Sequence, residues 1–75
     1  MNLYQNLRGR SGVHSYELVS EGIIVQFTTG SIYLYTTTST SSFNIELMYK
    51  YAEAGVGLNS FIGRVVKKGY AQKLR

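Results

Sequence analysis

The side chains that enzymes most often use for chemistry are few in this sequence and poorly spaced for it. The chain has one histidine, His14, and no cysteine. His14 and Ser15 are neighbours in a predicted strand, so we expect their side chains on opposite faces, where they cannot form a nucleophile–base pair. Glu46 and Glu53 lie about 10 Å apart along one helix face, too far to share a site. We therefore predict that the protein is not an enzyme and holds no metal and no cofactor.

One glycine pair has a spacing that is found in phosphate-binding loops. Gly55-Val56-Gly57 precedes a predicted helix, and the free N–H groups at a helix N-terminus attract anions. The pair follows a helix rather than a strand, however, and a simple turn between two helices also explains it. The sequence is compatible with a phosphate-binding loop and with a turn between two helices.

Positive charge is concentrated near the two ends of the chain. The formal net charge is +4, from eight basic and four acidic residues. Three basic residues at spacings of three and four share one side of the predicted second helix, and no acid follows the first of them. This pattern predicts salt-sensitive binding of nucleic acid, plausibly RNA, with exposed tyrosines stacking on unpaired bases; the alternative is a charged surface that only aids solubility. The candidate binding residues are Arg64, Lys67, Lys68, Lys73 and Arg75, with Arg8 and Arg10 as a second group.

Alternating apolar residues predict three strands, 13–19, 23–28 and 31–36. The turn between the second and third strands is Thr28-Thr29-Gly30. A two-residue loop would require positive φ at a β-branched threonine, whereas a three-residue loop requires it only at Gly30. The three-residue loop places Ile23 opposite Tyr35 and Val25 opposite Tyr33, so both tyrosines should face the core.

Two helices are predicted after a Ser/Thr-rich connector, 36–42. The first helix is expected over Phe43–Ala54, with Ser41 or Ser42 as its N-cap and Gly55 just beyond its end. The second is expected to start from a cap at Asn59 or Ser60 and to end before Gly69. Its buried face should consist of Leu58, Phe61, Ile62, Val65 and Val66.

These elements predict an α+β fold: a three-stranded antiparallel sheet in the order β-β-β-α-α, with two helices packed on one face. Residues 1–12 should form a loose N-terminal arm, and residues 13–75 a single domain.

Hydrophobic residues make up 44% of the chain, enough for a globular core. No apolar run approaches the roughly 20 residues that cross a bilayer, and the first ten residues lack the apolar stretch of a secretory signal. We expect a complete, cytoplasmic protein without a membrane partner. The absence of cysteine also fits the reducing environment of the cytoplasm.

The reverse face of the predicted sheet is a competing site. Ile24, Ile32 and Leu34 would form an apolar patch there, and an uncovered patch implies a protein partner or a homodimer. Alternatively, the N-terminal arm covers the patch through Leu3, Tyr4 and Leu7.

Residues 11–70 resemble the KTSC domain, a small domain that occurs alone and at the C-terminus of some lysyl-tRNA synthetases. The resemblance is carried by Tyr16 and Leu18, by Ile23, Val25 and Phe27, by Gly30, Tyr33 and Tyr35, by Leu47 and Ala52, by Gly57-Leu58-Asn59 with Ile62, and by Tyr70. It implies the same α+β fold and an accessory role in RNA binding, and it supplies no catalytic residues. The chain departs from the family in having no proline after the third strand and a leucine, Leu58, where an aromatic residue is usual.

Overall fold

Strands rich in β-branched and aromatic residues form one antiparallel sheet, and the helices lie on one of its faces. The computed structural model describes residues 1–75. The sheet order follows the chain order. The strands are Asn2–Leu3 (β1), Val13–Val19 (β2), Gly22–Phe27 (β3), Ile32–Thr36 (β4) and Gln72–Lys73 (β5); the helices are Ser42–Ala54 (α1) and Leu58–Phe61 (α2), and a π-helical turn, Ile62–Val66, continues α2.

The sheet has five strands, so the prediction of a three-stranded sheet is wrong. The α+β class is correct, but each edge of the predicted sheet gains a two-residue strand. β1 pairs with β2 through Leu3 and Ser15, and β5 pairs with β4 through Lys73 and Tyr33. The physical reason is that the edges of a sheet carry unpaired N–H and C=O groups. The backbone groups of β1 and β5, at the two ends of the chain, form hydrogen bonds with some of them.

The β3–β4 hairpin has the predicted register. Gly30 has φ +96, Ile23 pairs with Tyr35, and Val25 pairs with Tyr33. Tyr35 is only 2% exposed, and Ile23 and Val25 are fully buried. The three-residue loop therefore directs these side chains into the core, as its turn chemistry predicts.

A β-bulge in β2 overturns one local prediction. Val13 pairs with Phe27 and Ser15 pairs with Gln26, so His14 is the extra residue. The bulge interrupts the alternation of faces, and the Nδ1 atom of His14 lies 3.2 Å from the Oγ of Ser15. These two side chains are thus in contact, not on opposite faces.

The ends of α1 follow the predicted capping chemistry. The Oγ of Ser41 accepts a hydrogen bond from the N–H of Asn44 at 3.0 Å. Gly55 ends the helix in the left-handed conformation at φ +75. α1 thus begins and ends where short-range signals place it.

The second helical segment begins earlier than predicted and is irregular. Gly57, with φ +92, precedes it without a side-chain cap, so the expected cap at Asn59 or Ser60 is wrong. The hydroxyl of Tyr4 instead accepts from the N–H of Leu58 at 3.3 Å. In the π-helical turn, the N–H of Lys67 donates to the C=O of Ile62.

The π-helical turn also changes which side chains are buried. Leu58, Ile62 and Val66 face the core, but Val65 is 52% exposed, contrary to its predicted burial. Bonding to the fifth residue instead of the fourth widens the turn, so the 3.6-residue periodicity fails here.

The N-terminal segment is packed against the body. Tyr4 is 6% exposed and belongs to the core. The N–H of Leu7 donates to the C=O of Gly55 at 2.8 Å, and the Oδ1 of Asn6 accepts from the N–H of Ser11. The segment therefore carries its basic residues beside the joint between the two helices.

No helix of the fold combines the length and the apolar character needed to cross a membrane.

Candidate nucleic-acid interface

One groove combines lysine side chains with aromatic rings. It lies between the end of the π-helical turn and the β3–β4 hairpin, and its volume is about 420 Å³. Lys67 and Lys68 line it together with Phe27, Tyr33 and Tyr70, and no acidic residue does so. We call this the aromatic groove. Its volume is within the range of about 300–1,000 Å³ that is common for ligand pockets.

The rings of the aromatic groove pack against one another. The centroids of Tyr33 and Tyr70 lie 4.6 Å apart, and Phe27 meets Tyr33 edge-on at 5.8 Å. Tyr35 lies beneath them, with Tyr70 in a T-shaped contact at 6.2 Å. Phe27, Tyr33 and Tyr70 are only partly buried, so the groove has an aromatic surface and a closed floor.

The floor of the groove is strongly desolvated. Burial raises the pKa of Tyr35 to about 12 from the usual 10.0, with smaller contributions from the charges that Tyr33 and Tyr70 would carry when ionised. A phenol is neutral at physiological pH with or without this shift, so Tyr35 carries no negative charge that would offset the lysines.

β5 brings a third lysine to the same rings. Lys73 pairs with Tyr33 across β4 and β5, and its Nζ lies 5.9 Å from the centroid of the Tyr33 ring. This distance is within the range of a cation–π contact. Three of the candidate binding residues, Lys67, Lys68 and Lys73, are thus gathered around one aromatic cluster.

Lys67 occupies a backbone conformation that favours glycine. Its φ is 52 and its ψ is −119, and the N–H of Gly69 donates to the C=O of Val66 at 2.9 Å. These features are those of a type II′ turn with Lys67 at the first central position, where glycine is normal. Strained non-glycine residues are concentrated at functional sites. The effect of the Lys67 charge on binding must therefore be measured separately from the effect of its backbone conformation on stability.

Replacing Lys67 by glycine is expected to raise the free energy of unfolding by about 1 kcal/mol. Relief of strain contributes about 1–3 kcal/mol, and the greater freedom of glycine in the unfolded chain offsets about 0.5–1 kcal/mol of it. Urea denaturation measures the change. Lys68→Gly is the matched control, because Lys68 has no positive φ and should lose stability. A loss of similar size in both variants would contradict the assignment of strain to Lys67.

The other basic candidates lie elsewhere. Arg64, which the sequence groups with Lys67 and Lys68, lines a separate depression of about 400 Å³ with Arg8 and Phe61. The structure therefore divides the basic residues of the second helical segment between two surfaces. Arg75 lines none of the cavities, but its backbone C=O accepts from the N–H of Ile32 at 3.3 Å.

A third cavity brings the N-terminal arginines to the glycine joint. Arg8 and Arg10 line it together with Gly55-Val56-Gly57, and its volume is about 490 Å³. A Cβ on Gly55 would lie 2.6 Å from the Cβ of Gln5. Docking of the N-terminal segment is thus a sufficient reason for glycine at position 55.

The contact between His14 and Ser15 lacks the features of a nucleophile–base pair. Ser15 is 4% exposed, and its Oγ donates to the Oε1 of Gln26 at 3.2 Å. Neither His14 nor Ser15 lines a cavity. No group of three or more histidine, cysteine or carboxylate side chains is placed to hold a metal ion.

The outer face of the sheet, opposite the helices, is the second candidate surface. Ile24, Ile32 and Leu34 are partly exposed on it. β1 extends this face rather than covering it, since Leu3 pairs with Ser15 and is 71% exposed. Alternation along β5 places Leu74, 44% exposed, at the other end. Of the arm residues expected to cover this patch, Tyr4 lies in the core and Leu7 is 68% exposed.

Comparison of the chain with protein-family models, with curated proteins and with solved structures finds no match.

Proposed function

We propose that this protein is a non-enzymatic module that binds nucleic acid, with RNA as the expected form, through the lysines of the aromatic groove. The observation that carries the proposal is that Lys67 and Lys68 line one groove that has no acidic residue among its lining residues, while Lys73 lies over the ring of Tyr33 in the same groove. The resemblance to the KTSC domain implies the same role.

The number of lysine–phosphate contacts predicts how strongly salt weakens the affinity for RNA. Each phosphate that a lysine neutralises releases bound counterions, and for single strands the logarithm of the affinity falls with the logarithm of salt by about 0.7 per contact. Three contacts give a slope of about −2. Affinity should then fall about 20-fold between about 50 mM and about 200 mM salt.

The double variant Lys67→Ala/Lys68→Ala is expected to weaken RNA binding at low salt and to reduce the salt slope by about 0.7 for each lysine in contact. Fluorescence anisotropy of a labelled single-stranded RNA at several salt concentrations measures both effects. Alanine retains the backbone strain at position 67, so the comparison isolates charge.

The control is Lys50→Ala, because Lys50 is exposed on α1 and lines no cavity. Arg64→Ala should have a smaller effect than the loss of the two groove lysines. Absence of binding at low salt, or equal losses in all these variants, would count against the proposal.

Self-association is the second candidate function, and the uncovered outer face favours it. A partner copy would bury Ile24, Ile32 and Leu34 along with the more exposed Leu3 and Leu74. If this is correct, sedimentation should detect a concentration-dependent dimer that Leu34→Ser disperses, because a hydroxyl at the centre of the patch weakens apolar contact. A monomer at every concentration would remove this candidate.

A further inference from the structure

We infer that the aromatic groove holds an unpaired nucleobase against its rings, so that the protein selects single-stranded over double-stranded nucleic acid. This inference rests on the proposed function and adds the chemical group that is recognised. The lysines alone would bind any polyanion, whereas the rings require a planar partner.

The position of the rings is the first argument. Phe27, Tyr33 and Tyr70 lie on the core side of the sheet, yet they are only partly buried, whereas Tyr35 beneath them is 2% exposed. The helices do not fully cover the aromatic cluster, because helical structure ends at Val66. Part of the aromatic cluster is therefore exposed to solvent on the face of the sheet that the helices otherwise cover.

The surroundings of the rings suit a nucleotide. Lys67 and Lys68 border the groove on the helical side, where they can meet phosphates, and Lys73 contacts the Tyr33 ring. Thr28, Thr29 and Ser31 line the hairpin side, and hydroxyl groups can donate to or accept from the polar edge of a base. A cationic border around an aromatic surface is the arrangement by which proteins bind single strands.

Base pairing decides the selectivity. In a duplex the faces of the bases are stacked on their neighbours, so a ring recessed in a groove cannot reach them without unstacking the helix. In a single strand the faces are available, and stacking on an aromatic residue strengthens binding about tenfold or more per base. The phosphates contribute in both forms, so selectivity measures the contribution of the rings.

Three probes of equal length test the inference: a single-stranded oligouridine, the same sugar–phosphate strand without bases, and an RNA duplex. Their dissociation constants are measured by anisotropy at low salt. We expect the oligouridine to bind about tenfold more tightly than the strand without bases and more tightly than the duplex. In the NMR spectrum, oligouridine should shift the ring protons of Tyr33 and Tyr70.

The variant Tyr70→Leu should abolish the preference for oligouridine over the strand without bases, because leucine offers no aromatic face for stacking. Leucine keeps an apolar side chain at the position, and circular dichroism checks that the variant is folded. The matched control is Phe43→Leu, because Phe43 is 68% exposed and lines no cavity; it should retain the preference. If Tyr70→Leu is unfolded, the ring-proton shifts of the unaltered protein decide the question.

The outcomes separate the inference from the proposed function. Equal binding of oligouridine and the strand without bases, or binding of the duplex as tight as that of the single strand, would overturn the role of the rings and leave electrostatic binding in place. Absence of binding to all three probes would overturn both.

Discussion

Replacing Gly22 by alanine is expected to lower the free energy of unfolding by about 3 kcal/mol, the upper part of the range for an overpacked site. A Cβ at this position would lie 2.5 Å from the backbone oxygen of Tyr35. Because that oxygen belongs to a neighbouring strand, β3 and β4 would have to move apart. The shift would also disturb the hydrogen bond of 2.8 Å from the hydroxyl of Tyr49 to the C=O of Gly22. Urea denaturation followed by circular dichroism measures the loss.

The matched control is Gly63→Ala. A Cβ at Gly63 meets no atom within 4 Å, and its φ is not positive. Alanine should therefore be neutral or stabilise the protein by about 0.5 kcal/mol. A chain of this length is expected to have a stability of about 4–11 kcal/mol, so the Gly22 variant should be visibly less stable at room temperature. Similar midpoints for the two variants would contradict the close approach of the strands.

The second large effect is a loss of stability at alkaline pH. The pKa of Tyr35 is raised to about 12, since burial disfavours the phenolate. The unfolded chain has the ordinary value of about 10, so the folded state holds the proton more tightly. The resulting stabilisation is fully present below pH 10 and is lost as pH rises from 10 to 12. Two pH units correspond to about 3 kcal/mol.

Denaturation in urea across this pH interval tests the assignment, with Tyr35→Phe as the control. Phenylalanine has no proton to lose, so the part of the alkaline slope that belongs to position 35 should disappear in the variant. A slope unchanged by Tyr35→Phe would show that another group controls alkaline unfolding.

The hairpin and the first helix could be predicted because their signals are local. The β-branched Thr29 beside Gly30 admits one loop length, and loop length fixes the register of β3 and β4. Ser41 and Gly55 mark the two ends of α1 by equally local chemistry. Each of these conclusions depends on a few adjacent residues and on no distant contact.

The remaining elements depend on contacts that are distant in sequence. β1 and β5 have two residues each, too few to show a period of two. The cap of α2 comes from Tyr4, 54 residues earlier in the chain. The π-helical turn breaks the helical periodicity that grouped Arg64 with Lys67 and Lys68.

The aromatic groove was missed for the same reason. The sequence places Phe27 and Tyr33 on the core face, which is correct, but it does not show that the helices stop short of them. The only available signal was that Tyr70 and Lys73 follow the end of the second helical segment, where a returning tail can meet the sheet. The lysines were identified from charge, whereas their arrangement around rings required the pairing of β5 with Tyr33.

The shortness of the two outermost strands also bears on how the protein behaves at high concentration. A long, flat edge strand offers a template on which another chain can add by backbone hydrogen bonds, which is how fibrils start. Here each of the two outermost strands has only two residues, and β5 carries the charge of Lys73 with Arg75 close by. Growth of the sheet from chain to chain is therefore disfavoured, even though the core strands are rich in the residues that fibrils prefer.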